Sequence, residues 1–103
     1  MKRTEYNIYI GLMESDMKTE ISEDKALDLS IKELKKIGVS GFNSTIAKSV
    51  WNGEKENTLH ISFINTFGVS QKNLFESVKT LKTALNQECI LIKHNIVSSR
   101  FIE

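Results

Sequence analysis

Ser22 and Ser70 each stand directly before an amphipathic run, each follows an aliphatic residue, Ile21 or Val69, and each run is flanked by stretches with alternating apolar residues. A serine in that place accepts hydrogen bonds from the free amides of a first helical turn, and the aliphatic neighbour closes a hydrophobic staple. The order is strand, helix, strand, and then the same again. β-α-β followed by β-α-β is the outline of the split βαβ or ferredoxin-like sandwich. The expectation is an α+β fold with a four-stranded antiparallel sheet and two helices on one face.

The first strand is expected over residues 5–12, where Tyr6, Ile8 and Ile10 alternate with Asn7, Tyr9 and Gly11. After a polar loop over residues 13–21, Glu23 and Asp24 place negative charge at the start of the first helix, and Leu27, Ile31, Leu34 and Ile37 form its apolar stripe. Gly38 is the expected stop. Residues 42–51 read as a second strand and end at Asn52-Gly53, a pair suited to the positive φ angles of a type I′ hairpin turn. A third strand over residues 58–65 alternates Leu59, Ile61 and Phe63 with His60, Ser62 and Ile64. The second helix carries the stripe Leu74, Val78, Leu81 and Leu85 and ends near Asn86. A last strand, residues 88–97, opens with the apolar run Cys89-Ile90-Leu91-Ile92, which suggests cover on both faces and a buried thiol.

At 103 residues the chain is the size of one domain, residues 1–103. Lys plus Arg number 14 and Asp plus Glu 13, so bulk charge gives no reason to expect a nucleic-acid backbone or an anionic membrane as partner. A single cysteine forms no internal disulfide, and no apolar run approaches the roughly 20 residues of a membrane span. A cytoplasmic protein is expected.

With both helices on one face, the reverse face of the sheet carries Asn7, Tyr9, Ala47, Ser49, Trp51, His60, Ser62 and Ile64, with either Leu91 and Lys93 or Ile90 and Ile92. Such a surface is costly to leave in water. A second copy of the chain is the expected cover, giving a homodimer or higher oligomer, with Phe101 and Ile102 able to join the contact. Alternatively Tyr9, Trp51, His60, Ser62 and Asn7 form a cradle for a planar ligand, and the 13–21 loop closes over it. Ile8-Tyr9-Ile10-Gly11-Leu12 also resembles the first-strand motif of RNA-recognition modules, with Tyr9 and His60 stacking on bases and Lys48, Arg3 and Lys93 contacting phosphates. The third strand lacks the basic, glycine-aromatic start that such modules carry.

No catalytic motif stands out. A tautomerase of related architecture needs an amino-terminal proline, and the chain has no proline. The serines are explained as caps or strand positions, and the pairs Glu54 with Glu56 and Glu23 with Asp24 fall at a turn and a helix start, where carboxylates are normally solvated. Two histidines, one of them the isolated His94, and one cysteine lack metal-ligand spacing, and Gly38 and Gly41 do not form a phosphate loop. No enzyme activity, metal or cofactor is expected.

The run Tyr9-Ile10-Gly11-Leu12, the loop residues Asp16 and Thr19, then Gly41-Phe42-Asn43 and Trp51-Asn52-Gly53 resemble small uncharacterised ferredoxin-like proteins of phages and mobile elements in low-GC Gram-positive bacteria. The resemblance implies accessory biology: a stoichiometric, non-enzymatic binder that antagonises host defence by occupying a host protein or sequestering a nucleotide-like ligand. The second expectation is a single-stranded nucleic-acid-binding module using the same sheet face.

Overall fold

A computed structural model describes residues 1–16 and 18–103. Six elements follow in order: β1 (Lys2–Gly11), α1 (Glu23–Lys36), β2 (Asn43–Trp51), β3 (Glu54–Ile64), α2 (Gln71–Ala84) and β4 (Leu91–Ser98). The strands form one antiparallel sheet in the order β2-β3-β1-β4, with the helices on one side, as the ferredoxin-like arrangement requires.

Both helices are held at each end by the same devices. Ser22 Oγ accepts from the Lys25 amide and Ser70 Oγ from the Asn73 amide, each at 3.1 Å. At the other ends, Gly38 (φ 92°) and Asn86 (φ 50°) take the left-handed conformation. Val39 N–H then donates to Leu34 O and Gly38 N–H to Lys35 O, and Gln87 and Asn86 repeat the pattern on Lys82 and Thr83. These paired bonds are Schellman closures.

Tyr6, Ile8 and Ile10 on β1 pair with Phe63, Ile61 and Leu59 on β3, and the six form the sheet's contribution to the core. Leu74, Val78 and Leu81 of α2, with Leu85 at its C-cap, cover them as expected. The buried face of α1 is instead Ala26, Ser30 and Leu34, while Ile31 is 46% exposed. Ser30 can lie inside because its hydroxyl donates to Ala26 O at 2.7 Å, which leaves no unsatisfied polar group. The stripe shifts round the helix accordingly, and Leu27 and Ile37 only edge the core.

The Asn52-Gly53 turn is tight, with φ of 50° and 78° and Trp51 paired to Glu54. β3 therefore starts four residues before the expected Thr58 and runs with β2 as a ribbon. The helices do not reach over β2: Ser44, Ile46, Lys48 and Val50, on its helix-side face, are exposed. β4 begins later than expected, at Leu91, and is an edge strand with Leu91 exposed, not a strand covered on both faces. Cys89 lies before it and is exposed, not buried. Among the described residues, no helix is long and apolar enough to cross a membrane.

The 13–21 loop, of which Met17 lies outside the described residues, does not hang free as a lid. Glu14 N–H donates to Thr19 O, Ser15 N–H to Asn86 O, and Gln87 Nε2 to Met13 O, so the loop is tied to itself and to the end of α2.

Candidate functional site

Register fixes the open face. Arg3, Glu5, Asn7, Tyr9 and Gly11 on β1 stand beside Ile64, Ser62, His60 and Thr58 on β3, with Asn43, Thr45, Ala47, Ser49 and Trp51 on β2 and Leu91 and Lys93 on β4. Of the expected phosphate contacts, Arg3 and Lys93 lie here. Lys48 does not: it pairs with Asn57 on the helix-side face and lines a groove of about 600 Å³ beside the start of α1, which Ser49 and Glu56 also border. A three-cation track on one face is thus not formed.

The centre of the face is a stack. Tyr9 and His60 are cross-strand partners whose ring centroids lie 4.5 Å apart with planes 5° from parallel. Coplanar rings could not approach so closely, so the rings stand upright on the sheet and press face to face along the inter-strand direction. Lys93 Nζ lies 5.8 Å from the Tyr9 centroid, within cation–π range. Tyr9 therefore has His60 on one face and an ammonium at its ring. The expectation that Tyr9 offers a free stacking surface is corrected to one in which His60 presents the outer face of the pair.

That outer face looks toward β2, where Asn43, Thr45, Ala47 and Ser49 are all small. The strip of sheet beyond it, walled by His60 and floored by β2, is the candidate slot. His60 is held by Asn7, whose Oδ1 lies 2.8 Å from Nε2 while its Nδ2 donates to Glu5 Oε1 at 3.1 Å. The Asn7 amide must donate toward the carboxylate, so the network assigns the proton to His60 Nε2 and leaves Nδ1 as the nitrogen open to a ligand. Asn7 is only 7% exposed and holds the His60 ring in place.

Trp51 belongs to a second cluster. It pairs with Glu54, six residues along β3 from His60, which is about 20 Å of strand. There, Trp51, Gly11, Glu56 and Leu91 line a cavity of about 110 Å³. The Glu56 side chain lies over Gly11, where any Cβ would strike its carboxylate oxygen. Desolvation at this position raises the Glu56 pKa above the ordinary carboxylate value. Beside it Thr58 is 1% exposed, and its Oγ1 is the one buried side-chain polar atom without a partner among the described residues. The reading of Glu56 as a solvated turn carboxylate is corrected: the turn is tighter than a polar loop and carries Glu56 back onto the sheet. The signal was Gly11, since a glycine inside a strand marks a close approach.

Ser62 is partly buried beside Asn7 and Asn43, next to the stack. Of the five expected residues, then, Tyr9, His60, Asn7 and Ser62 come together and Trp51 stands apart with Glu56. His94 points into the helix layer, 5.8 Å from Tyr6 and 6.5 Å from Phe75 between ring centroids, and plays no part on this face.

Two solved structures share this fold. One is a phage SAM lyase in its apo state, with a TM-score of 0.71 and 17% identity, covering 99% of this chain and 94% of that one. The other is a phage SAM lyase in complex with S-methyl-5′-thioadenosine, with a TM-score of 0.65 and 20% identity, covering 98% and 93%. No protein-family model and no curated protein sequence matches the chain. These likenesses overturn the expectation that a chain of this kind is not an enzyme, which rested on the lack of a recognisable motif. The same architecture, over nearly the full length of both chains, belongs to proteins named as lyases. The phage connection agrees with the resemblance drawn from the sequence; these likenesses do not address the Gram-positive part of it.

Proposed function

We propose that this protein is a phage-type lyase that binds S-adenosylmethionine, or a closely related sulfonium nucleoside, on its open sheet face and cleaves a carbon–sulfur bond. The observation that carries this reading is that one sheet face holds both the Tyr9–His60 stack and, further along, the partly buried Glu56 carboxylate over Gly11, on a fold shared with a lyase that holds S-methyl-5′-thioadenosine. An adenine is a flat ring and extends the Tyr9–His60 stack over β2. The sulfonium is a fixed cation, attracted by the Glu56 carboxylate and by the face of Trp51. The pairing also offsets the cost of holding Glu56 charged in a partly desolvated place.

This chemistry explains why no motif was found. Cleavage without water can proceed within the substrate: the substrate's own carboxylate oxygen attacks the carbon γ to it, the C–S pair leaves with sulfur, and the products are a neutral thioether and a five-membered lactone. Atoms and charges balance, because one sulfonium and one carboxylate disappear together. No general base, activated nucleophile or metal is required. The protein has to fold the substrate back on itself and keep water from the carbon, which is a matter of position.

The test is to incubate the purified protein with S-adenosylmethionine in ¹⁸O-water and follow the products by mass spectrometry. The expected result is S-methyl-5′-thioadenosine together with an amino-acid product whose newly formed C–O bond carries no label. Label in that bond would show hydrolysis, and no thioadenosine at stoichiometric protein would refute the lyase reading.

A further inference from the structure

The chain has two arginines, Arg3 and Arg100, and both line one cavity. It measures about 330 Å³, lies where β1 begins, β2 begins and residues 99–101 cross, and has Phe42, Phe67 and Phe101 in its walls with no acidic side chain. The arginines are not placed there by ion pairing. Among the described residues the one salt bridge joins Lys36 to Glu33.

Arg3 is partly buried and fixed: Nη1 donates to Ser99 O at 3.2 Å and to Ser99 Oγ at 2.8 Å, and the guanidinium lies 5.9 Å from the Phe101 ring centroid. Ser99 is itself anchored, its amide donating to Met1 O at 2.9 Å. A guanidinium has five N–H donors in a planar fork, so Arg3 keeps Nη2 and Nε for something else. A partly buried fork without a carboxylate, against the Phe101 ring in a cavity that a second arginine and other phenyl rings also line, matches an oxyanion on a planar body. The volume is at the lower end of the range for small-molecule pockets.

We propose that this cavity is a second binding site, for a small organic anion with a single phosphate or carboxylate on a flat apolar body. It is distinct from the His60 slot: the two border each other at Asn43 and Ser62, and none of Tyr9, His60 and Glu56 lines the arginine cavity.

The experiment is calorimetric titration at low salt with adenosine monophosphate as probe, adenosine as its neutral counterpart and inorganic phosphate as the bare anion. The monophosphate should bind at least about tenfold more tightly than either, and Arg100→Gln, at an exposed position, should lower its affinity by about tenfold, as loss of one charge-assisted contact does. Tyr9→Ala should leave that affinity within about twofold. Equal binding of adenosine and its monophosphate, or no effect of Arg100→Gln, would overturn the proposal. Inorganic phosphate binding as tightly as the monophosphate would overturn the planar half of it. Loss of monophosphate binding in Tyr9→Ala would place the probe in the lyase site and remove the second site, leaving the lyase reading untouched.

Discussion

Tyr9 and His60 stack across β1 and β3 with centroids 4.5 Å apart, and Asn7, two residues before Tyr9, fixes the His60 ring through a 2.8 Å contact at Nε2. Because the rings stand edge-up, the pair acts as a wall whose free surface faces β2. Removing the inner ring takes away support, and removing the outer one takes away the surface itself. His60→Ala should therefore weaken S-adenosylmethionine binding more than Tyr9→Ala, by about 1–3 kcal/mol for the stacked ring, as read by titration calorimetry. Equal affinities in all three proteins would mean that the slot is not used.

Glu56 carries a sign that separates function from folding. Its pKa is raised by desolvation, so the folded chain holds the Glu56 proton more tightly than the unfolded chain does. The charged form therefore costs stability above the raised folded value, and the cost disappears as pH falls toward the ordinary carboxylate value. Glu56→Gln should leave the neutral-pH Tm unchanged or higher while reducing sulfonium binding. For the wild type, binding should fall as pH drops through the raised pKa. A lowered Tm with intact binding in Glu56→Gln would mark the side chain as structural only.

Gly11 provides the steric complement. Gly11→Ala puts a methyl group where the Glu56 carboxylate lies and should reproduce the binding defect of Glu56→Gln with the carboxylate still present. Hydrogen exchange on the β1–β3 ladder would show whether the sheet is intact, and normal binding by this variant would contradict the placement of Glu56.

Much of the fold was legible because local rules and packing agree there. Ser22, Ser70, Gly38, Asn86 and Asn52-Gly53 each do what their chemistry favours, and together they fix element order and the open face. Misreadings arose where tertiary context decides. Ser30 satisfies its hydroxyl within its own helix and so displaces Ile31 from the core. Cys89 sits in an apolar run, yet β4 is an edge strand that begins after it. Trp51 falls on the open face as its register implies, whereas Lys48 falls on the helix side, paired with Asn57, in a register set by a turn of two residues. Glu56 reads as a solvated turn carboxylate until the ladder, with Gly11 opposite Thr58, shows its side chain reaching over Gly11.

Self-association through the exposed ribbon is a further expected outcome. Ile46, Val50 and Trp51 (39% exposed) lie on β2, an edge strand that the helices leave bare. A hydrophobic edge of this kind invites pairing. Light scattering should give a mass above that of one chain, and Trp51→Glu should shift it toward the monomer. An unchanged mass in the variant would exclude this edge as the contact.

The slot itself can be closed. Thr45 is the β2 partner of His60 and forms the floor beside its outer face, and tyrosine suits an exposed strand position, so Thr45→Tyr fills the space claimed for the adenine without disturbing the core. The decisive measurement is the rate of S-methyl-5′-thioadenosine release from S-adenosylmethionine by the wild type and by Thr45→Tyr, side by side. The account predicts release by the wild type and at least about a tenfold loss in the variant, the equivalent of about 1.4 kcal/mol. Equal rates in the two proteins, or no release by the wild type, would contradict it.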